Sequence, residues 1–280
     1  MKQRASTERV KLWRRPELGG VELLRAHYVT QTFNRHTHDG FAVGVIEDGA
    51  LGFYYHGENV VAPAGMINLV NPGEVHTGHA ATECGWTYRM FYFGADLLQD
   101  AASEIAGRQA AIPFFRKGVL SDESLADALR ALHTGLERGQ LSRLEIESRF
   151  LAVLTQLIDR HAESKPNLRP VTREPAAVRR ARAYIEACYA ENISVRKLAS
   201  VAHLSPFHFI RVFQAQTGMP PHAYLMQTRV RRARALLAQG WRIVDAAYDT
   251  GFVDQSHLTK HFKRTLGFTP GQYRNSVQDA

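Results

Sequence analysis

Residues 251–274 read GFVDQSHLTKHFKRTLGFTPGQYR. Leu258, Phe262 and Leu266 recur at every fourth position after Asp254, a good N-cap, and Gly267 closes the run, so the spacing predicts a helix with one apolar stripe facing a core. Gln255, Ser256, Thr259, Lys260 and Lys263 then fall outward, and no acid stands among them. An ordinary surface helix uses Glu as freely as Lys. Gln matches the adenine edge, Lys matches guanine or phosphate, and Ser or Thr suits either, whereas Glu here would repel a phosphate backbone. The expected partner of this face is double-stranded DNA.

The same parts occur earlier in the chain. Ser205, Phe209, Arg211, Phe213, Gly218, Pro221 and Tyr224 correspond, at a constant offset of 49, to Asp254, Leu258, Lys260, Phe262, Gly267, Pro270 and Tyr273. In each half a short helix (VRKLASVA; RIVDAAYDT) leads through a tight turn to an N-cap, Ser205 or Asp254, and then to a second helix. That is the helix-turn-helix layout, whose second helix enters the major groove. In the first unit Phe209 and Phe213 point inward, which leaves Phe207, Ile210, Arg211 and Gln214 on the opposite face. Two of these are large and apolar. Thymine methyls would cover them on DNA, the alternative being that they pack as core.

The charge is divided as this assignment requires. Residues 1–170 carry 19 Lys+Arg against 20 Asp+Glu, and residues 171–280 carry 16 against 7, so the formal net charge of +8 lies entirely in the last 110 residues. A basic module beside a neutral one points to a polyanion partner, with a merely soluble basic domain as the alternative. The apolar runs all fall short of the roughly 20 residues of a membrane span, and the polar beginning of the chain lacks the apolar centre of a secretory signal, so no membrane association and a cytoplasmic location are expected. Cys84 and Cys188 are too few and too far apart for a disulfide framework or a metal motif, and are expected to be buried or half-buried thiols. The segment ESKPNLRPVTREPAA (163–177), with its three prolines, is the expected linker between domains 1–162 and 178–280.

Between Glu22 and Phe93 short apolar or alternating runs (FAVGVI, LGFYYHG, MINLV, WTYRMFYF) alternate with turn signals (EDG, HGEN, APAG, NPGE), the pattern of an antiparallel barrel or sandwich. Two helices follow, over 121–138 with Ser121 and Ser124 as a partial cap, and over 142–162. In the second, Leu144, Leu151, Leu154 and Ile158 form a seam that suits a dimer contact or packing on the chain's own barrel. Histidines concentrate in the barrel: His36, His38, His56, His76 and His79. His36-Thr37-His38 followed by Gly49 and by the turn Pro72–His76 resembles the two motifs of the cupin fold, but Ala42 and Val43 stand where its glutamate belongs. Without that acid no metal or other cofactor is expected. His36, His38 and His76, with Trp86, Tyr88 and Arg89, are read as the lining of a pocket for a polar small molecule. A metal-dependent cupin enzyme, or a metal-sensing regulator using the three histidines, is the alternative.

LASVAHLSPFHFIRVFQAQTGMPP and VDAAYDTGFVDQSHLTKHFKRTLGFTPGQYR resemble the DNA-binding domain of the AraC/XylS family of bacterial transcription regulators, and the barrel with its two helices resembles that family's effector-binding and dimerisation domain. The resemblance implies an α+β chain: an N-terminal cupin-like β-barrel with a two-helix dimerisation segment, and a C-terminal all-α domain of two helix-turn-helix units joined by a helix over about 221–238. It further implies a ligand-controlled regulator that is not an enzyme, more an activator than a repressor, acting as a homodimer with RNA polymerase as partner. His203 stands where the first turn usually has glycine, which leaves the geometry of that turn to be seen.

Overall fold

The edge of the sheet is the charged strand β1 (Arg9–Arg15), which pairs with β2 (Val21–Tyr28) and exposes Val10 and Leu12. This and all that follows comes from a computed structural model that describes residues 8–164 and 174–278. Strands β3 (Phe33–His36), β4 (Phe41–Tyr55), β5 (Glu58–Pro63), β6 (Ile67–Val70), β7 (His76–Ala80), β8 (Trp86–Phe93) and β9 (Val119–Leu120) complete the sheet, in the order β1-β2-β8-β4-β6-β9 with β5 and β7 also on β4 and β3 on β7. Every described pairing is antiparallel.

The EDG signal at residues 47–49 does not end a strand. Instead β4 runs through it with a bulge between Ile46 and Asp48: its first half pairs with β6 and β8, and its second half with β5 and β7. Gly49 is required at that corner, because its φ is 69° and a Cβ there would stand 2.0 Å from the Gly85 carbonyl oxygen. The bent strand wraps the sheet around a core of Leu24, Ile46, Leu51, Phe53, Trp86, Tyr88 and Met90.

Helices α1 (Ala95–Ala106), α2 (Glu123–Arg138) and α3 (Arg143–His161) follow β8. The cap of α2 is Asp122, which accepts from the Leu125 N–H at 3.0 Å, rather than Ser121; Ser124 Oγ donates to the same carboxylate. The seam of α3 is turned into the chain itself. Leu144, Leu154 and Ile158 are 1%, 1% and 0% exposed, and only Leu151 is partly accessible. Cys84, expected to be covered, is exposed.

The chain divides into two compact units, 1–139 with 149–169, and 140–148 with 170–280. Of the expected linker, 165–173 lies outside the described residues, and its end is already helix: α4 spans Pro175–Ala187.

The remaining helices are α5 (Val195–Ala202), α6 (Pro206–Thr217), α7 (Pro221–Ala238), α8 (Ile243–Asp249), α9 (Gln255–Leu266) and α10 (Pro270–Gln278). The 49-residue offset thus relates α5–α6 and the proline that opens α7 to α8–α9 and the proline that opens α10. Both turns close in the same way. Leu204 N–H bonds to Ala199 O at 3.0 Å and Phe252 N–H to Ala247 O at 2.9 Å, each behind a residue in the left-handed region, His203 (φ 59°) and Gly251 (φ 80°). The first turn therefore keeps the helix-turn-helix geometry with a histidine in the glycine's place.

Arg229 of α7 ties the two units of the repeat together. It is 4% exposed and donates to the carbonyls of Tyr189 (2.7 Å), Glu191 (2.9 Å) and Gly251 (2.7 Å), joining the loop ahead of α5 to the turn ahead of α9. Burial brings its pKa down to about 10, so the guanidinium stays charged at neutral pH.

Candidate ligand pocket and nucleic-acid interface

The three histidines picked out in the sequence meet. His36 sits opposite His76 in the β3–β7 pair, and the Gly73 N–H bonds to His38 O at 2.8 Å, which folds the Pro72–His76 turn onto the residues after β3. The ring centroids are 4.1 Å apart for His36 and His76, and 4.9 Å for His38 to each of the others. Two of the rings are held by the same device. His36 Nδ1 donates to Asn34 O at 2.8 Å and His76 Nδ1 donates to Glu74 O at 3.1 Å, in each case the carbonyl two residues back. A ring nitrogen facing a carbonyl must carry a proton, so in the neutral form of either ring the lone pair lies on Nε2. Burial, aided by the neighbouring imidazoles, pushes the His76 pKa down to about 4, and burial lowers that of His38 as well.

The cluster forms one wall of a pocket of about 630 Å³, its open mouth included, lined further by Tyr28, Phe33, Asn68, Trp86, Tyr88 and Tyr92 among others. Trp86 Nε1 and Asn68 Oδ1 are buried without a hydrogen-bond partner. Burial raises the hydroxyl pKa of Tyr92 to about 12 and that of Tyr88 well above its ordinary value, so both remain neutral donors.

Arg89 is not part of this lining. Side chains alternate along β8, and Trp86, Tyr88, Met90 and Tyr92 face the pocket while Arg89 faces the other way. There it is 5% exposed, pairs with Glu47 (2.7 Å) and Glu137 (2.6 Å), and donates to His133 Nδ1 at 3.0 Å. Burial together with Arg89 pushes His133 down to about 3, while Arg89, helped by Lys11 and Arg25, overcomes burial to hold Glu137 at about 2. The group fastens α2 to the sheet. Tyr92, which the sequence reading missed, follows from the same alternation. His79 has the wrong parity and packs over Gly52, and His56, at the β4–β5 hairpin (φ 50°), lies 3.6 Å from the Glu74 carboxylate.

On α9 the expected face is present. Gln255, Ser256, Lys260 and Lys263 are exposed and Thr259 is half-buried, while Leu258, His261 and Phe262 are buried; Asp254 caps the helix by accepting from His257 N–H at 2.7 Å. Arg264, also exposed, extends the basic surface. On α6 the outcome differs. Gln214 is exposed and Arg211 half-buried, but Phe207 (6%) and Ile210 (5%) are buried. This helix packs on α4, α5 and α7, and His208, about a quarter turn from Phe207 and about half a turn from Ile210, is held by Glu174 at the start of α4 at 2.9 Å. A helix enclosed on several sides leaves little apolar surface for a thymine methyl. Ser205 caps α6 by position only, with no side-chain hydrogen bond.

Two family comparisons fall on these two regions. Residues 18–154 match the AraC-like ligand binding domain, and residues 198–276 match a helix-turn-helix domain. The chain is 33% identical over 238 residues to the HTH-type transcriptional regulator YbfI of Bacillus subtilis (strain 168), covering 85% of this chain and 86% of that protein. It is also 37% identical over 87 residues to the bifunctional transcriptional activator/DNA repair enzyme Ada of Escherichia coli (strain K12), which is 31% of this chain and 25% of that one. Among solved structures, a probable AraC family transcriptional regulator from Rhodopseudomonas palustris CGA009 is 27% identical, with 36% of this chain and 97% of that chain covered and a TM-score of 0.35.

A ligand-binding sheet domain joined to a double helix-turn-helix defines a DNA-binding transcriptional regulator. The chain belongs to the AraC family of such regulators. Among the described residues no helix is long and apolar enough to cross a membrane.

Proposed function

We propose that this regulator is controlled by a small polar molecule bound in the histidine-walled pocket, and that α9, supported by Arg211 and Gln214 of α6, reads the operator. The observation that carries the first half is that two of the pocket-lining residues, Trp86 and Asn68, each hold a buried polar atom, Nε1 and Oδ1, without a hydrogen-bond partner. Leaving such a group unpaired costs about 1–3 kcal/mol, so a bound molecule that offers an acceptor and a donor is favoured there. His36, His38, His76, Trp86 and Tyr88 keep the effector role read from the sequence, Tyr92 joins them, and Arg89 leaves the set. The acid-free exposed face of α9 supports the second half.

In this reading the protein works in the cytoplasm as an activator that touches RNA polymerase, and it binds its half-sites as a homodimer. Because the α3 seam is largely buried in the chain, the dimer contact is assigned away from Leu144, Leu154 and Ile158. The test is mapping of bound sites across a genome followed by DNA-binding assays with metabolites of the neighbouring genes. Discrete sites, and one metabolite that changes their affinity, are expected. Binding that no metabolite alters would reduce the N-terminal domain to a structural role.

A further inference from the structure

The histidine wall has the arrangement of a metal site. Each ring offers one ligand nitrogen, and the three nitrogens all lie within 4.8 Å of one another. A triangle no wider than that has its centre about 2.8 Å from each corner, so a movement of under about 1 Å per ring reaches the ~2.0–2.1 Å of a zinc–imidazole bond. The orientation of the rings is fixed in the way metal-ligating histidines usually are. In His36 and His76 the distal Nδ1–H is held by a backbone carbonyl, which sets the tautomer and leaves Nε2 as the nitrogen available to a metal. A pocket that required only hydrogen-bonding groups would not need three imidazoles in mutual contact.

We propose that His36, His38 and His76 bind one divalent transition metal ion, and that the effector is an oxygen anion which completes its coordination from inside the pocket. Three neutral nitrogens favour zinc, nickel, cobalt or iron(II) over magnesium or calcium, which prefer oxygen ligands. The glutamate that would supply a fourth, charged ligand is replaced by Ala42, whose side chain lines the pocket, so the ion would keep both its open positions and its full double positive charge. No Asp or Glu belongs to the pocket lining. An anionic ligand therefore meets a charge that no lining carboxylate balances. Beyond the metal, Trp86 Nε1–H is left to donate to such a ligand and Asn68 Oδ1 to accept from it. A small carboxylate that also carries a hydroxyl satisfies all three, the hydroxyl donating to Asn68 Oδ1. This ligand class rests on the proposed role of the pocket as the effector site; the metal site does not.

The experiment uses the full chain, purified without a histidine tag, stripped with chelator and titrated with Zn2+ and Co2+. About one equivalent per chain is expected, with affinity weakened by about 100-fold or more in His38→Gln and in His76→Gln. Thermal melts of the stripped variants identify any that misfold, and His38→Gln, in the less buried ring, serves if His76→Gln is lost. No binding by the folded wild type overturns the metal site, and equal binding by the wild type and a folded His38→Gln overturns these ligands. Lactate and glycolate are then added to the Co2+ form. A change in its visible spectrum supports anion coordination, and a spectrum moved by neither overturns the ligand class. Metal binding with no effect of any ligand on DNA affinity would remove the effector reading and leave the site; ligand control without metal would do the reverse.

Discussion

The two helix-turn-helix units are built on one sequence frame yet differ in what they present. On α9 Gln255, Ser256, Lys260 and Lys263 are polar and exposed, whereas α6 buries Phe207, His208, Phe209, Ile210, Val212 and Phe213, and its outer strip holds the half-buried Arg211 with the exposed Gln214 and Ala215. A repeat in sequence thus guarantees a repeat of helices and turns, not of exposure. Exposure depends on neighbours, and α6 packs on α4, α5 and α7 while α9 packs on α7, α8 and α10.

The sharpest way to break this contrast is to truncate Phe207. If it is core, Phe207→Ala costs about 3–5 kcal/mol of unfolding free energy in urea denaturation. A surface residue waiting for a thymine would cost little stability and show its effect only in DNA affinity.

Arg229 should come next. Arg229→Ala leaves three part-buried carbonyls without their charged donor, and a loss of about 3 kcal/mol is expected, since each forfeits a charge-assisted hydrogen bond. Because these carbonyls lie beside both units, hydrogen exchange should quicken ahead of α5 and ahead of α9 together; quickening at one alone would show that the arginine does not couple them.

The turns give a smaller and opposite pair of effects. A Cβ on Gly251 would stand 2.6 Å from Ala190 O, at positive φ, so Gly251→Ala should destabilise by about 2 kcal/mol. His203 already holds the left-handed conformation on the surface, and His203→Gly should stabilise by about 0.5–1 kcal/mol. Melting curves of the two variants would show whether the turns are equivalent in geometry and unequal only in strain.

What could be read from the sequence follows physical lines. Helical periodicity and cap residues place α2, α3 and α9 within a residue or two, the family resemblance places α7, and the constant offset of the repeat is independent of any packing detail. Strand β1 escapes because an edge strand with one open face can be as polar as Arg-Val-Lys-Leu-Trp-Arg-Arg, and α1 because the chain enters it from β8 through Gly94 without a side-chain cap. The Glu47-Asp48-Gly49 corner has the composition of a hairpin turn, and only the partners of β4 show that it is a bulge. In the pocket, Arg89 and Tyr92 were separable in advance, since two neighbours on a strand cannot both face inward. The burial of Phe207 and Ile210 was not, because the spacing of a helix cannot count the helices around it.

The claim on which the rest depends is that the open face of α9 meets DNA. The direct measurement is the affinity of the full chain for a mapped operator across a range of salt concentrations, for wild type, Lys260→Ala and Lys263→Ala. Wild-type affinity should fall steeply with salt; a lysine on a base edge should cost about 1–3 kcal/mol, and one on a phosphate should lower the salt slope by about 1. Absence of duplex binding at low salt, or two variants indistinguishable from wild type in both affinity and slope, would contradict the assignment of α9 as the DNA-reading helix.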